Sequence, residues 1–147
     1  MKFIINNTGV LEDKVLTYSM EDFSFDMEPL DNVIDYDIVI NTLNLSVVKN
    51  KVVQIWGFSS IENAIKTNKQ VPMAKKGELM ILDNLEGGFS YRINQEEWPI
   101  LINNETGWIC MGNPDKTYNA IEFIHNCIAV IDENHNFIAL WLNAKIV

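Results

Sequence analysis

The sequence predicts a mainly β protein, an antiparallel sheet or sandwich with one or two short helices. Short runs rich in Ile, Val and Leu recur along the chain, and polar stretches rich in Asn, Asp and Gly separate them. Such spacing of strands and turns is typical of antiparallel sheets. One segment carries a helix-start signal. An α+β arrangement is the alternative that this pattern leaves open.

A first hairpin is predicted in the N-terminal half. Tyr36 to Val48 is rich in Ile, Val, Leu and Thr, and Val52 to Phe58 is a second run of β-forming residues. The intervening Lys49-Asn50-Lys51 is short and polar, so the two runs are expected to pair through a tight turn. Earlier in the chain, Glu21 to Ile34 is either a loop or a short helix, because its periodicity decides neither.

A short helix is predicted from Ser59 to about Asn68. Ser59 and Glu62 have the spacing of a capping box, in which each side chain bonds the backbone N–H of the other residue. Ala64 and Ile65 follow this signal as the first apolar residues of the helix.

Candidate strands fill the rest of the chain, bounded by turn residues such as Asp83-Asn84 and Gly87-Gly88. The predicted strands are Glu78 to Leu82, Phe89 to Ile93, Trp98 to Ile102, Gly107 to Met111, Ala120 to Ile124, Cys127 to Ile131 and Phe137 to Leu142. The last four favour an antiparallel meander with a hairpin loop before Phe137. The tryptophans at positions 56, 98, 108 and 141 lie in predicted strands and are expected mainly in the core.

The length of the chain, 147 residues, is that of a single domain, and no linker or internal repeat is evident. We therefore expect residues 1–147 to form one domain. No apolar run approaches the roughly 20 residues needed to cross a bilayer. The N-terminus lacks the long apolar segment of a signal peptide. These features favour a cytoplasmic protein.

The charge of the chain is negative and unevenly distributed. The formal net charge is −9, which disfavours direct contact with nucleic acid or with an anionic membrane. Val15 to Val48 contains seven acidic residues and no Lys or Arg, whereas Lys49 to Lys76 contains six Lys and one Glu. A basic partner is therefore expected.

The acidic N-terminal third interleaves carboxylates with apolar and aromatic side chains. Carboxylates accelerate association with a cationic partner, and desolvated aromatic side chains anchor it. The candidate partner-binding residues are Glu21, Asp22, Phe23, Phe25, Asp26, Glu28, Asp31, Asp35 and Asp37. The structural alternative places Phe23 and Phe25 in the core of a strand with Ser24 facing outward.

Catalytic and metal-binding patterns are weak. His125 and Cys127 are two positions apart and would share one face of a strand, but no third group that would orient such a pair is apparent. Asp35 and Asp37 could contribute to a hard-cation site, although the EF-hand pattern is absent. We expect no enzyme activity, no metal and no cofactor. Cys110 and Cys127 are expected as buried thiols.

Three apolar segments near the C-terminus carry a family resemblance: Gly107-Trp108-Ile109-Cys110-Met111-Gly112, Ile121-Glu122-Phe123-Ile124-His125-Asn126-Cys127-Ile128-Ala129-Val130 and Phe137-Ile138-Ala139-Leu140-Trp141-Leu142. They resemble bacterial immunity proteins, small cytosolic proteins that protect toxin producers, as in contact-dependent growth inhibition. The resemblance covers about the last third of the chain. It implies an inhibitor that binds a cognate toxin domain tightly and blocks its active site or substrate cleft. It identifies no individual contact residue.

The acidic surface and the resemblance agree, because a nuclease toxin presents a basic cleft that an acidic surface complements. Two other functions stay open at this point. A structural or small-ligand-binding β domain would be favoured by a large enclosed apolar cavity. An enzyme using carboxylates or the His125/Cys127 pair would be favoured by a concave pocket lined by such groups with perturbed pKa values.

Overall fold

A computed structural model describes all 147 residues of the chain. It contains 16 β-strands joined by turns and loops, and no α-helix. The chain therefore has no helix that could span a membrane. In chain order the strands are β1 (Phe3–Asn6), β2 (Val15–Ser19), β3 (Ser24–Glu28), β4 (Tyr36–Ile40), β5 (Leu43–Val48), β6 (Lys51–Phe58), β7 (Ile65–Lys66), β8 (Lys75–Lys76), β9 (Glu78–Ile81), β10 (Ser90–Arg92), β11 (Ile100–Ile102), β12 (Ile109–Gly112), β13 (Ala120–Ile124), β14 (Cys127–Ile131), β15 (Phe137–Leu142) and β16 (Lys145–Ile146). The prediction of a mainly β protein is confirmed.

The strands form two sheets with Greek-key connections. Sheet A has nine strands in the order β10-β4-β5-β6-β3-β2-β16, with β9 paired to β6 and β1 paired to β9. Sheet B has seven strands in the order β7-β11-β12-β15-β14-β13-β8. In sheet A, β4, β5 and β6 form a meander and β3 pairs with β6. In sheet B, β13, β14 and β15 form the meander and β12 pairs with β15, so each set of four strands is a Greek key.

The two sheets have the same topology, so the chain contains an internal structural repeat. β2 to β6 in sheet A correspond to β11 to β15 in sheet B. The register agrees as well: Leu16 pairs with Met27, and Ile100 pairs with Met111 at the same interval along the chain. The sequence did not reveal this repeat, because equivalent outward-facing positions carry polar residues in one sheet and apolar residues in the other.

Each repeat supplies an edge strand to the other sheet. β7 follows β6 along the chain but pairs in parallel with β11, while β16 follows β15 but pairs in parallel with β2. The backbone N–H of Thr67 donates to the Ile102 carbonyl, and that of Val147 donates to the Tyr18 carbonyl in the equivalent place. The repeats are therefore interlocked, and short strands close the edges of both sheets.

The inner faces of the two sheets share one hydrophobic core. A cluster of 26 buried residues includes Phe25 and Met27 from sheet A as well as Phe123 and Leu140 from sheet B. Along β3 burial alternates with each residue, as expected for a strand with one face against a core. Burying a large apolar side chain stabilises the fold by roughly 1.5–3 kcal/mol, so this shared core fixes how the sheets stack.

Most predicted strands are present, and the bounds of β13, β14 and β15 are those predicted. The predicted hairpin between β5 and β6 is confirmed, with Lys49 and Asn50 both at positive φ. Tyr36 to Val48 is two strands, since Asn41 takes positive φ and turns the chain. Glu21 to Ile34 contains β3, so neither a loop nor a helix describes it. β12 departs from the predicted meander by pairing with β15.

The predicted helix from Ser59 to Asn68 is wrong. The Ser59 N–H donates to the Phe23 carbonyl over 2.7 Å, and the Ser59 carbonyl accepts from the Tyr18 hydroxyl over 2.8 Å. These contacts hold the capping residue against sheet A, and Ile65 and Lys66 are extended as β7. Tertiary pairing has overridden the local helix signal.

The outer faces of the two sheets differ at equivalent tryptophans. Trp56 pairs with Asn44 in sheet A, and Trp141 pairs with Ile128 in sheet B. Trp141 is 0% exposed, whereas Trp56 is 40% exposed. Residues 68–74, which we call the strap, account for the difference: Val71 and Ala74 pack on the apolar cluster around Trp141. No chain segment covers Trp56 in this way.

The two indole N–H groups also differ in their partners. Trp56 Nε1 donates to Ser46 Oγ over 3.0 Å, whereas buried Trp141 Nε1 has no partner. Ser46 lies two residues beyond Asn44, and the equivalent position in sheet B is Val130. An unpaired buried donor costs about 1–3 kcal/mol, so sheet B carries a defect that sheet A lacks.

We expect Val130→Thr to give Trp141 Nε1 an acceptor without changing the side-chain volume. Because this new hydrogen bond offsets the cost of burying a hydroxyl, the free energy of unfolding should stay within about 0.5 kcal/mol of wild type or rise. The matched control, Val52→Thr, buries a hydroxyl in the shared core and should lose about 1–3 kcal/mol. Urea denaturation measures both, and equal losses would contradict the account of Trp141.

Candidate protein-binding surface

The outer face of sheet A is built by the alternation of its strands. In β3, Phe25 and Met27 face the core, so Ser24, Asp26 and Glu28 face outward. Trp56 extends the same outward surface onto β6 and lies beside Asn44 of β5. We call this surface the open face, and its side chains are Ser24, Asp26, Glu28, Asp37, Asn44, Ser46, Trp56 and Phe58.

A hydrogen-bond chain fixes the indole ring on the open face. Trp56 Nε1 donates to Ser46 Oγ, and Ser46 Oγ in turn donates to Asp37 Oδ1 over 2.5 Å. Asp37 and Ser46 are also direct cross-strand neighbours in the register of β4 and β5. An exposed tryptophan with a fixed orientation loses little conformational entropy when a partner covers it, which favours its use as an anchor.

The predicted partner-binding residues fall into separate groups. Asp26, Glu28 and Asp37 lie on the open face, as described above. Glu21, Asp22 and Phe23 form the turn between β2 and β3, at one end of sheet A, where Ser19 Oγ accepts the Asp22 N–H. These six residues are exposed or half-buried. Phe23 lies next to the open face, because its carbonyl accepts the N–H of Ser59, the residue after Phe58.

Asp31 and Asp35 lie away from the turn at Glu21. Asp35 precedes β4 and accepts the Lys49 N–H over 2.7 Å, at the end of the sheet where β5 turns into β6. Asp31 follows β3 and pairs with the buried Lys14, whose Nζ is 2.7 Å from both Asp31 Oδ2 and the Val53 carbonyl oxygen. The charge of Asp31 is therefore partly offset within the chain.

Phe25 does not belong to the surface. It is 1% exposed and packs edge-on against Tyr18, with the ring centroids 4.7 Å apart. The physical reason is the strand alternation, which begins at Ser24 and turns Phe25 into the core. Phe23, unlike Phe25, is partly exposed, because its positive φ places it in the turn before β3.

Trp56 is the surface residue that the sequence analysis missed, because a tryptophan in a predicted strand was expected in the core. A signal for it exists in the neighbouring strand. In β5, polar Asn44 and Ser46 alternate with Leu43, Leu45 and Val47, so one face of this hairpin is polar. The register through Lys49-Asn50 then places Trp56 on that polar face, opposite Asn44.

The His125/Cys127 pair does not form the geometry of a thiol–imidazole dyad. His125 lies in the turn between β13 and β14, so its imidazole is exposed, while Cys127 is fully buried. Cys127 Sγ contacts the backbone carbonyl of His125 over 3.7 Å. Burial raises the pKa of Cys127 well above its ordinary value and that of Cys110 to about 12. Both cysteines are free, buried thiols.

Metal ligands do not converge anywhere in the structure, since no group of three His, Cys, Asp or Glu side chains is arranged to hold an ion. The surface clefts include one of about 500 Å³ beside Phe3 and Tyr118 and one of about 570 Å³ beside Val33 and Lys51. Neither includes the open face. The sequence matches no protein-family model and no curated protein at a significant level.

The raised thiol pKa values predict a loss of stability at alkaline pH. Below the ordinary thiol pKa of 9.0, folded and unfolded chains both keep the protons of Cys110 and Cys127. As the pH rises above that value, only the unfolded chain releases them, so unfolding becomes more favourable. Urea denaturation should show a fall of roughly 1–2 kcal/mol in the free energy of unfolding between pH 8 and 9.5.

Cys110→Ala is the control for this pH dependence, because it leaves only the Cys127 thiol to titrate. The fall over the same pH interval should be about halved. Burial also raises the pKa values of Tyr18 and Tyr36 above the ordinary 10.0. Because the measurement stops at pH 9.5, these two tyrosines add little to the fall in the free energy of unfolding. An unchanged pH dependence in Cys110→Ala would contradict the assignment.

Proposed function

We propose that this chain is a binding protein that inhibits a basic protein partner by covering it with the open face. In the form that the sequence resemblance favours, the partner is a toxin domain with a basic nucleic-acid cleft. The chain then acts as its cytoplasmic immunity protein, which excludes the substrate from that cleft. The function is stoichiometric binding, and it requires no chemistry by the chain itself.

The observation that carries this proposal is a fixed, exposed tryptophan surrounded by carboxylates. Trp56 is held by Ser46 and Asp37, and Asp26 and Glu28 lie on the adjacent part of the same face. Interface hot spots are enriched in tryptophan and sit in the centre of a contact, with charged groups around them. The open face has this composition, with Phe58 as a second exposed aromatic side chain.

The charges of the open face are available to a partner. Asp26 and Glu28 are exposed and form no ion pair within the chain. Among the cations in the strands of sheet A, Lys51 of β6 is already paired with Glu12 and Glu78, and Arg92 and Lys145 lie on the edge strands β10 and β16. The centre of the sheet is therefore acidic, and the net charge of −9 adds long-range attraction for a cationic protein.

Co-expression with the C-terminal domain of the protein encoded by the neighbouring reading frame tests the proposal. We expect a stoichiometric complex that survives purification and restores growth to cells producing the toxin. If the toxin domain forms no stoichiometric complex with the chain and the chain does not restore growth, the immunity function is contradicted.

In that complex, Asp26→Lys combined with Glu28→Lys should slow association at least tenfold at low salt, because both changes replace attraction by repulsion at the contact. The control is Glu105→Lys combined with Glu133→Lys, which makes the same change in net charge in exposed turns of sheet B. Surface plasmon resonance at two ionic strengths measures the rates. Equal slowing by both double variants would show that net charge matters and the open face does not.

A further inference from the structure

The strap shows how the outer face of one sheet is covered in this fold. It runs from β7 to β8, which are the two opposite edges of sheet B. The strands between them place those edges roughly 29 Å apart at ~4.8 Å per strand. The chain from Lys66 to Lys75 reaches about 30 Å when extended, so the strap crosses the sheet as an extended segment.

Three kinds of contact hold the strap in place. Lys69 Nζ forms a salt bridge with Asp115 Oδ1 over 2.8 Å. Asn103 Nδ2 donates to the Lys69 carbonyl over 3.0 Å. Val71 and Ala74 then pack on the apolar cluster that contains Trp141. One cationic anchor, one backbone contact and apolar packing over a tryptophan thus seat this extended segment between the paired strands β7 and β8.

Sheet A presents the equivalent path without a segment on it. Trp56 is the counterpart of Trp141 in the strand register. Asp31 follows Met27 along the chain as Asp115 follows Met111, but Lys14 already pairs with this carboxylate, so Asp26 and Glu28 are the carboxylates left without an ion pair along the path. The edges, β16 and β10, are again the two ends of a path of seven strands.

The chemistry along the two paths differs. Where the strap of sheet B meets Cys110, Ile128 and Val130, the open face of sheet A presents Asp26, Asn44 and Ser46 in the equivalent register positions. Apolar residues such as Val71 and Ala74 would leave these polar groups without partners. A segment that fits sheet A must therefore bring hydrogen-bond donors and positive charge to its centre.

We infer that the open face receives an extended segment of the partner protein that contains Lys or Arg, crossing β3, β6 and β5 over Trp56 as the strap crosses sheet B over Trp141. This inference rests on the proposed function and names the part of the partner that enters the site. The cation of the segment meets Asp26 and Glu28, which form no ion pair within the chain, as Lys69 meets Asp115. Its aliphatic stem packs on the indole of Trp56, since long cationic side chains bury their stems on apolar surface while the charged end stays polar.

A display library of random linear dodecapeptides tests the inference on the intact chain. Peptides enriched on the wild-type chain should contain Lys or Arg together with an apolar residue. A synthetic copy of the best peptide should bind Trp56→Ala at least tenfold more weakly than wild type, and the Asp26→Asn/Glu28→Gln variant likewise. Glu105→Gln combined with Glu133→Gln should bind it as wild type does. Unchanged circular dichroism and thermal midpoints confirm that the variants fold.

Three results would overturn the inference: no enrichment over an unrelated acidic β protein, enrichment of peptides without cations, or equal binding to wild type and Trp56→Ala. The proposed function has a separate outcome. If the folded toxin domain binds and loses affinity on Asp26→Lys/Glu28→Lys while no linear peptide is enriched, the proposed function stands and the extended-segment inference fails. If neither the toxin domain nor a peptide needs the open face, both fail.

Discussion

The alternation of side chains along a β-strand is the constraint on which the rest of this structure depends. When one face of a sheet packs into the core, the side chains of its other face must either be covered by another chain segment or be polar enough to meet solvent or a partner. Sheet B carries apolar residues outward, such as Ile128 and Trp141, and the chain covers them with its own strap. Sheet A carries polar and acidic residues outward and leaves Trp56 open. One topology, used twice, therefore yields a closed face and a face available to a partner.

The local features of the fold could be predicted from the sequence, and the long-range ones could not. Apolar runs bounded by turn residues located β13, β14 and β15, and Lys49-Asn50 located a hairpin. The helix predicted at Ser59 failed because its signal is local, whereas the bond from the Ser59 N–H to the Phe23 carbonyl joins distant parts of the chain. The exchange of β7 and β16 between sheets is likewise invisible in hydrophobic periodicity.

Only part of the candidate surface could be predicted from the sequence, because composition is a local property and strand register is not. Composition located the acidic third, and Asp26, Glu28 and Asp37 do share a face. Composition carries no register, so it grouped Phe25 with them although strand alternation buries it. The anchor of the surface, Trp56, comes from a strand outside the acidic third and reaches that face only through the pairing of β5 with β6. Register, more than residue type, defines the open face.

Hydroxyl-radical footprinting of the chain, free and bound to its proposed partner, tests the central claim that such a partner covers the open face. The two equivalent tryptophans serve as probe and internal reference, because Trp56 is exposed and Trp141 is buried beneath the strap. We expect Trp56 to be oxidised in the free chain and protected in the complex, with Trp141 unmodified in both. Equal oxidation of Trp56 in both states, with protection confined to strap residues such as Met73, would contradict the account.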